Sequence, residues 1–114
     1  MIKGSFKRTG SGRIVSFELT GHAEAGPYGS DVVCAAVSAL AISTVNGIDA
    51  LAGFEPIVAV GDVEGGYLYV EMLTTVNQEQ KNIAQILLEN LLLGLQSIEN
   101  ENTEFIQIKT ITEK

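Results

Sequence analysis

The spacing of apolar residues changes period along this chain, and that change restricts the folds open to it. Val15, Phe17 and Leu19 alternate with Ser16, Glu18 and Thr20, the two-residue period of a strand with one buried face. From about Val32 the period lengthens, and Val33, Val37, Leu40, Ile48 and Leu51 fit one face of a helix. Ala35, Ala36, Ala39 and Ala41 allow that helix to pack closely. Strands are predicted over Ile2 to Arg8 and Arg13 to Thr20, joined by Thr9-Gly10-Ser11-Gly12, a hairpin turn signal. Gly53 and Pro56 end the helix. Gly47, about 1 kcal/mol worse than alanine inside a helix, marks a place where it can break. A second hairpin is predicted from Pro56 to Val60 and Gly66 to Met72, around Gly61-Asp62-Val63-Glu64-Gly65. Asn77 begins a second helix, with Ile83, Ile86, Leu87, Leu91, Leu95 and Ile98 at coiled spacing. Leu88, Leu92 and Leu93 widen that stripe beyond one face, as either a homodimer interface or burial within one subunit requires. A strand from Glu104 to Thr112 comes last. The order ββαββαβ implies an α+β fold, a mostly antiparallel sheet with two main helices.

At 114 residues, with no repeat and no linker, the chain reads as one domain over residues 1–114. Hydrophobic residues at 46% against 18% charged place it among folded rather than disordered proteins. A single cysteine cannot build an internal disulfide framework, so nothing suggests an oxidising compartment. The basic start MIKGSFKRTGSGR is followed by no apolar segment of the secretory kind. The longest greasy stretch, ILLENLLLGL, is interrupted by Glu89 and Asn90 and is too short for a bilayer. The expectation is a cytoplasmic protein that engages no membrane. Its net charge of −7 is uneven: Lys3, Lys7, Arg8 and Arg13 give the first thirteen residues +4, which leaves −11 for the rest. Such a surface repels nucleic-acid phosphates and attracts basic partners at low salt; it also serves plain solubility.

The chain's only histidine and only cysteine stand twelve positions apart in GHAEAGPYGSDVVCAAVS, Gly21 to Ser38. If Asp31 caps the helix, Val32 is its first residue and Cys34 its third, with an N–H among the unpaired donors. The positive end of a helix favours a thiolate. The carboxylate of Asp31 opposes this, so a positive partner is needed, and His22 is the one side chain that can supply it near neutral pH. Gly26, Pro27 and Gly29 permit sharp reversals between the two, as a mobile lid would need. N–H groups of the loop and first helical turn can receive an oxyanion, and Ser38 falls one turn after Cys34 on the same face. The alternatives are plain: cysteine is commonly a small buried hydrophobe, a loop histidine commonly a surface residue, and glycines commonly turn residues. One histidine and one cysteine leave a zinc site two ligands short. No Gly-Lys-Ser/Thr follows the glycines, as a phosphate loop would require. No metal or cofactor is expected.

The string TGHA at a strand end, then a glycine-containing loop, then SDVVCAAVSAL opening a helix, resembles the ribosomal-processing cysteine protease (Prp, YsxB-like) family. The likeness covers nearly the whole chain and rests on Gly21-His22, Asp31, Val33-Cys34-Ala35 and Ser38 at the family's spacing. It implies that Cys34 is the nucleophile and His22 its base, supported by Gly21, Asp31 and Ser38, in a homodimer of α+β subunits. The activity it implies is removal of the N-terminal extension of a large-subunit ribosomal protein precursor, with the cut after an aromatic residue, in bacteria related to Firmicutes. The acidic surface suits such a basic substrate. Tyr28 is a candidate for the substrate pocket, and Asp31 either orients His22 or caps the helix. Two other readings stay open at this level. One is a non-enzymatic ribosome-assembly or protein-binding module; the other is a thiol redox sensor, weakened by the lack of a second, resolving cysteine.

Overall fold

The computed structural model describes residues 1–21, 30–61 and 66–113, with the backbone alone at Ser30 and Asp31. Its elements run β1 (Ile2–Arg8), β2 (Ile14–Thr20), α1 (Ser30–Gly47), a π-helical turn (Ile48–Ala52), β3 (Ile57–Val60), β4 (Tyr67–Glu71), α2 (Gln78–Glu101) and β5 (Ile106–Thr112). Order and class are those implied by the hydrophobic periods, with strand ends trimmed by a residue or two. The predicted turn over residues 62–65 lies outside the described residues. One five-stranded sheet has the order β3-β4-β2-β1-β5. All its pairs are antiparallel except β1 with β5, which run parallel from Ile2↔Ile106 to Arg8↔Thr112.

The core lies between the sheet and the two helices. Phe6, Phe17 and Val70 are neighbours across β1, β2 and β4 and are all within 1% of full burial. The two phenyl rings stack at 5.3 Å. From α1 come Val33, Val37 and Ala41, and from α2 come Ala84, Leu88, Leu91, Leu92 and Leu95. Two predicted core positions are corrected. Leu51 is 65% exposed, because beyond Gly47 the helix widens into a π turn, closed by the Gly53 N–H donating to the Ile48 carbonyl at 3.1 Å. The extra residue per turn carries Leu51 past the core-facing side and brings Ala52 inward. Ile86 is 69% exposed, because α2 turns Leu88, Leu92 and Leu95 to its neighbours instead. The wide leucine stripe is largely covered within the chain, since α2 touches α1, the π turn, β2 and β5 together; Leu93 stays exposed. The longest apolar run is also not ILLENLLLGL but Val32–Ala52, with mean hydropathy 1.6 over a length that can cross a bilayer. Val33, Val37, Ala41 and Ile48 of that run pack into this core.

Polar side chains of α2 pin it to the sheet. Asn77 caps the helix by accepting from the Gln80 N–H at 2.9 Å, while Gln80 accepts from the Asn77 N–H at 3.0 Å, a reciprocal capping box. Gln85 accepts from the N–H of Ile14 and donates to its carbonyl, next to the point where the β1–β2 register slips between Lys7 and Arg8. Glu99 accepts from the Ile108 N–H at 2.7 Å. Glu89, which interrupts the leucine run, takes both ends of the Arg8 guanidinium, at 2.5 and 2.9 Å. The hydrogen bond from Arg8 comes first, with its charge adding, in holding the Glu89 carboxyl below its ordinary value. Folding therefore weakens proton binding at Glu89. The resulting stability is complete above the unfolded glutamate value of about 4.3 and is lost as pH falls through the lower folded value. Glu89→Gln is expected to lower the unfolding free energy at pH 7 by about 1 kcal/mol or less. In urea titrations that deficit should shrink as pH drops below about 4; a deficit independent of pH would show that the ion pair is not its source.

Candidate active site

α1 opens at Ser30, two residues before the predicted start. Asp31 is therefore the second helical residue and not the N-cap, and Cys34 is the fifth rather than the third. Acidic residues are favoured both as caps and in the first helical turn, so residue type alone allowed either register. The N–H groups left over at a helix start are four, counted from the cap, and Cys34 lies beyond them. Helical donors for an oxyanion thus belong to Ser30, Asp31 and Val32, in the turn before the cysteine.

Cys34 is half-buried, packed against the rim of the core. It lines a cavity of about 280 Å³ together with Gly21, Ser38, Val60 and Tyr67. Leu19, Val37, Ala41 and Leu68 make the lining largely apolar. The cavity sits where β2 ends, β4 begins and α1 starts, with Ile2 of β1 and Val60 of β3 completing the wall, so segments far apart in sequence build it. At its edge the Tyr67 hydroxyl donates to Glu18 Oε2 at 3.0 Å. That hydrogen bond to a carboxylate, with some desolvation, pushes the Tyr67 phenol above its ordinary value and keeps it a donor. A larger cavity of about 400 Å³ lies at the other end of the sheet, against Lys7, Tyr69, Lys81 and Gln85. Among the described residues, its lining includes neither Cys34 nor the other placed candidates, Gly21 and Ser38.

Gly21 leaves β2 with φ +84°, and a β-carbon there would lie 2.3 Å from the carbonyl oxygen of Met1. Only glycine accepts both the left-handed backbone and that approach. The residue therefore sets the direction in which the chain departs toward His22. Gly21→Ala is expected to cost about 2 kcal/mol and to slow peptide cleavage. Gly10→Ala, whose added carbon meets only ordinary contact at 3.6 Å, should leave denaturant midpoint and rate near the parent. Equal behaviour of the two variants would remove any special role for Gly21.

Of the residues predicted from sequence, the structure brings Gly21, Cys34 and Ser38 to one cavity. His22, Tyr28 and the Ala25-Gly26-Pro27-Tyr28 loop lie outside the described residues, as does the side chain of Asp31. Val60 and Tyr67 were missed. Their alternation identifies strands, but nothing local places those strands beside the start of α1.

A cysteine one turn into a helix, on the wall of an apolar surface cavity of a small α+β fold, offers a thiol that a substrate can reach, as a thiol enzyme requires. The family model described as cysteine protease Prp matches residues 1–107, and the chain belongs to that family. It is a cysteine protease. It is 37% identical over 110 residues to the ribosomal processing cysteine protease Prp of Bacillus subtilis (strain 168), covering 96% of this chain and 97% of that one. Among solved structures, SMU.848 from Streptococcus mutans superposes with a TM-score of 0.87 at 36% identity, over 99% of this chain and 96% of that one. The essential ribosomal processing protease Prp from S. aureus, in complex with a substrate peptide, gives 0.83 at 30% identity, over 96% and 99%. The same S. aureus protein with a covalently linked product peptide gives 0.82 at 34% over the same shares.

Proposed function

We propose that residues 1–114 form a single cysteine-protease domain that removes the N-terminal extension of a large-subunit ribosomal protein precursor through an acyl-enzyme on Cys34. The observation that carries this reading is the cavity shared by Gly21, Cys34 and Ser38, in a chain whose relatives are ribosomal processing proteases. The Cys34 thiolate attacks the scissile carbonyl carbon; a C–S bond forms, and N–H groups of the loop or helix start hold the oxyanion. The C–N bond then breaks as His22, acting as imidazolium, protonates the departing amine. Water, giving a proton to His22, attacks the thioester and releases the new carboxylate and the thiol. Asp31, within the first helical turn, and Ser38, one turn beyond Cys34, support the pair. The covalent product complex of the S. aureus relative agrees with chemistry through a bond to the enzyme. The apolar cavity suits an aromatic side chain before the cut, with Tyr28 as a further candidate contact. No metal or cofactor takes part.

The setting is the cytoplasm, and the substrate is a basic precursor drawn by the −11 charge of residues 14–114. Nucleic acid and membranes are not partners. The enzyme acts as a homodimer, for which exposed apolar side chains such as Val32, Ile42 and Leu93 supply surface. The test incubates purified protein with ribosomal protein precursors and sequences any new N-termini. One shortened large-subunit protein, cut after an aromatic residue, is expected. No cut in any precursor would end this reading.

A further inference from the structure

β3 forms one outer edge of the sheet, and all four of its residues are exposed, Ile57 by 49%, Val58 by 44% and Val60 by 73%. Natural edge strands are usually blunted by charge, proline or a bulge. Ile57–Val60 carries none of these; only Pro56, just before it, lacks an N–H.

The backbone hydrogen bonds show which groups of this edge are open. The Met72 N–H donates to the Val15 carbonyl at 2.9 Å, and the Gly61 N–H donates to the Tyr67 carbonyl at 2.9 Å. Even-numbered positions at β4 therefore turn to β2, and odd-numbered ones turn to β3. With Ile57 opposite Glu71 and Ala59 opposite Tyr69, these two β3 residues bond inward. Val58 and Val60 direct N–H and C=O away from the sheet. Among the described residues no strand lies there to receive them. Val60 also lines the cavity that contains Cys34, so the open edge runs into the site.

We propose that the substrate segment next to the scissile bond docks as an extended strand on β3, pairing with the outward groups of Val58 and Val60. The inference rests on the protease reading and deepens it. Backbone pairing of this kind supplies affinity with little regard to sequence, and a pocket for one side chain supplies the choice. An apolar edge that leads into a nucleophile's cavity fits a polypeptide ligand rather than a small polar one.

Val58→Pro tests this, because it removes an outward N–H and spares the inward bonds to β4; edge strands tolerate proline. The probe is a fluorescein-labelled peptide spanning the precursor's extension and cut site. Its binding is read by anisotropy on Cys34→Ala chains, so the result does not depend on turnover. Val58→Pro should weaken binding about tenfold, Val58→Ala should recover much of that loss, and Ile57→Ala should bind as the parent does. In the active enzyme the loss should fall on KM rather than kcat. If Val58→Pro fails to fold, esters replacing single amides of the peptide give the same reading on the parent: losses at alternate positions support the docking. Undiminished binding by Val58→Pro, insensitivity to every ester, or no binding at all overturns it. So does sedimentation showing that Val58→Pro splits a dimer, which would assign the edge to a second copy. Should the peptide bind without being cut by active enzyme, the catalytic reading fails while the docking stands.

Discussion

Cys34→Ala is expected to slow peptide cleavage by about 10⁴-fold or more while moving the thermal midpoint by about 4 °C at most. The two effects separate because of where the sulfur sits. Cys34 is half-buried and touches the core only at its rim. Losing one atom there opens little space inside and costs about 1 kcal/mol or less. On the proposed mechanism its chemical loss is complete, since the chain has no other cysteine to form the thioester. His22→Ala should fall nearly as far. The double variant should be no slower than the worse single one, because a nucleophile without its base and a base without its nucleophile are the same broken unit. Cleavage rates of the four chains decide between the readings. Losses that multiply would mean two residues acting independently and would sink the pair.

Phe6→Ala should cost about 3–5 kcal/mol, a large share of the roughly 5–15 kcal/mol that holds a domain of this kind together. Phe6 is fully buried, stacks on Phe17 at 5.3 Å with 16° between the planes, and lies in the strand flanked by both β2 and β5. The ring's neighbours come from several elements and cannot collapse together into the space, so the transfer loss and the cavity penalty add. Urea unfolding measures the difference. Ile111→Ala, at a side chain 45% exposed, should stay within about 0.5 kcal/mol of the parent. A Phe6→Ala chain as stable as that one would mean the core closes elsewhere.

Much of this architecture was legible before any coordinates. The start of α2 at Asn77, the Gly53 stop and the hairpin turn at Thr9–Gly12 are properties of a few adjacent residues, as are the alternation of β2 and the cysteine near a helix start. The particulars that escaped are of another kind. The register of α1 at Ser30 moved Cys34 from third to fifth residue because Asp31 is at home either as a cap or one place inside. The π turn at Ile48–Ala52 exposed Leu51, a rotation that no period count at 3.6 residues can reveal.

The sequence by itself determined the elements, their order and the residues that suggest thiol chemistry, because backbone preference and hydrophobic period act over one segment at a time. Only the tertiary structure decided that β4 pairs with β2, that β5 returns parallel to β1, and that Val60 and Tyr67 stand beside Cys34. Those choices are contacts between segments up to about a hundred positions apart, such as Ile2 with Ile106. Their free energy belongs to neither segment alone.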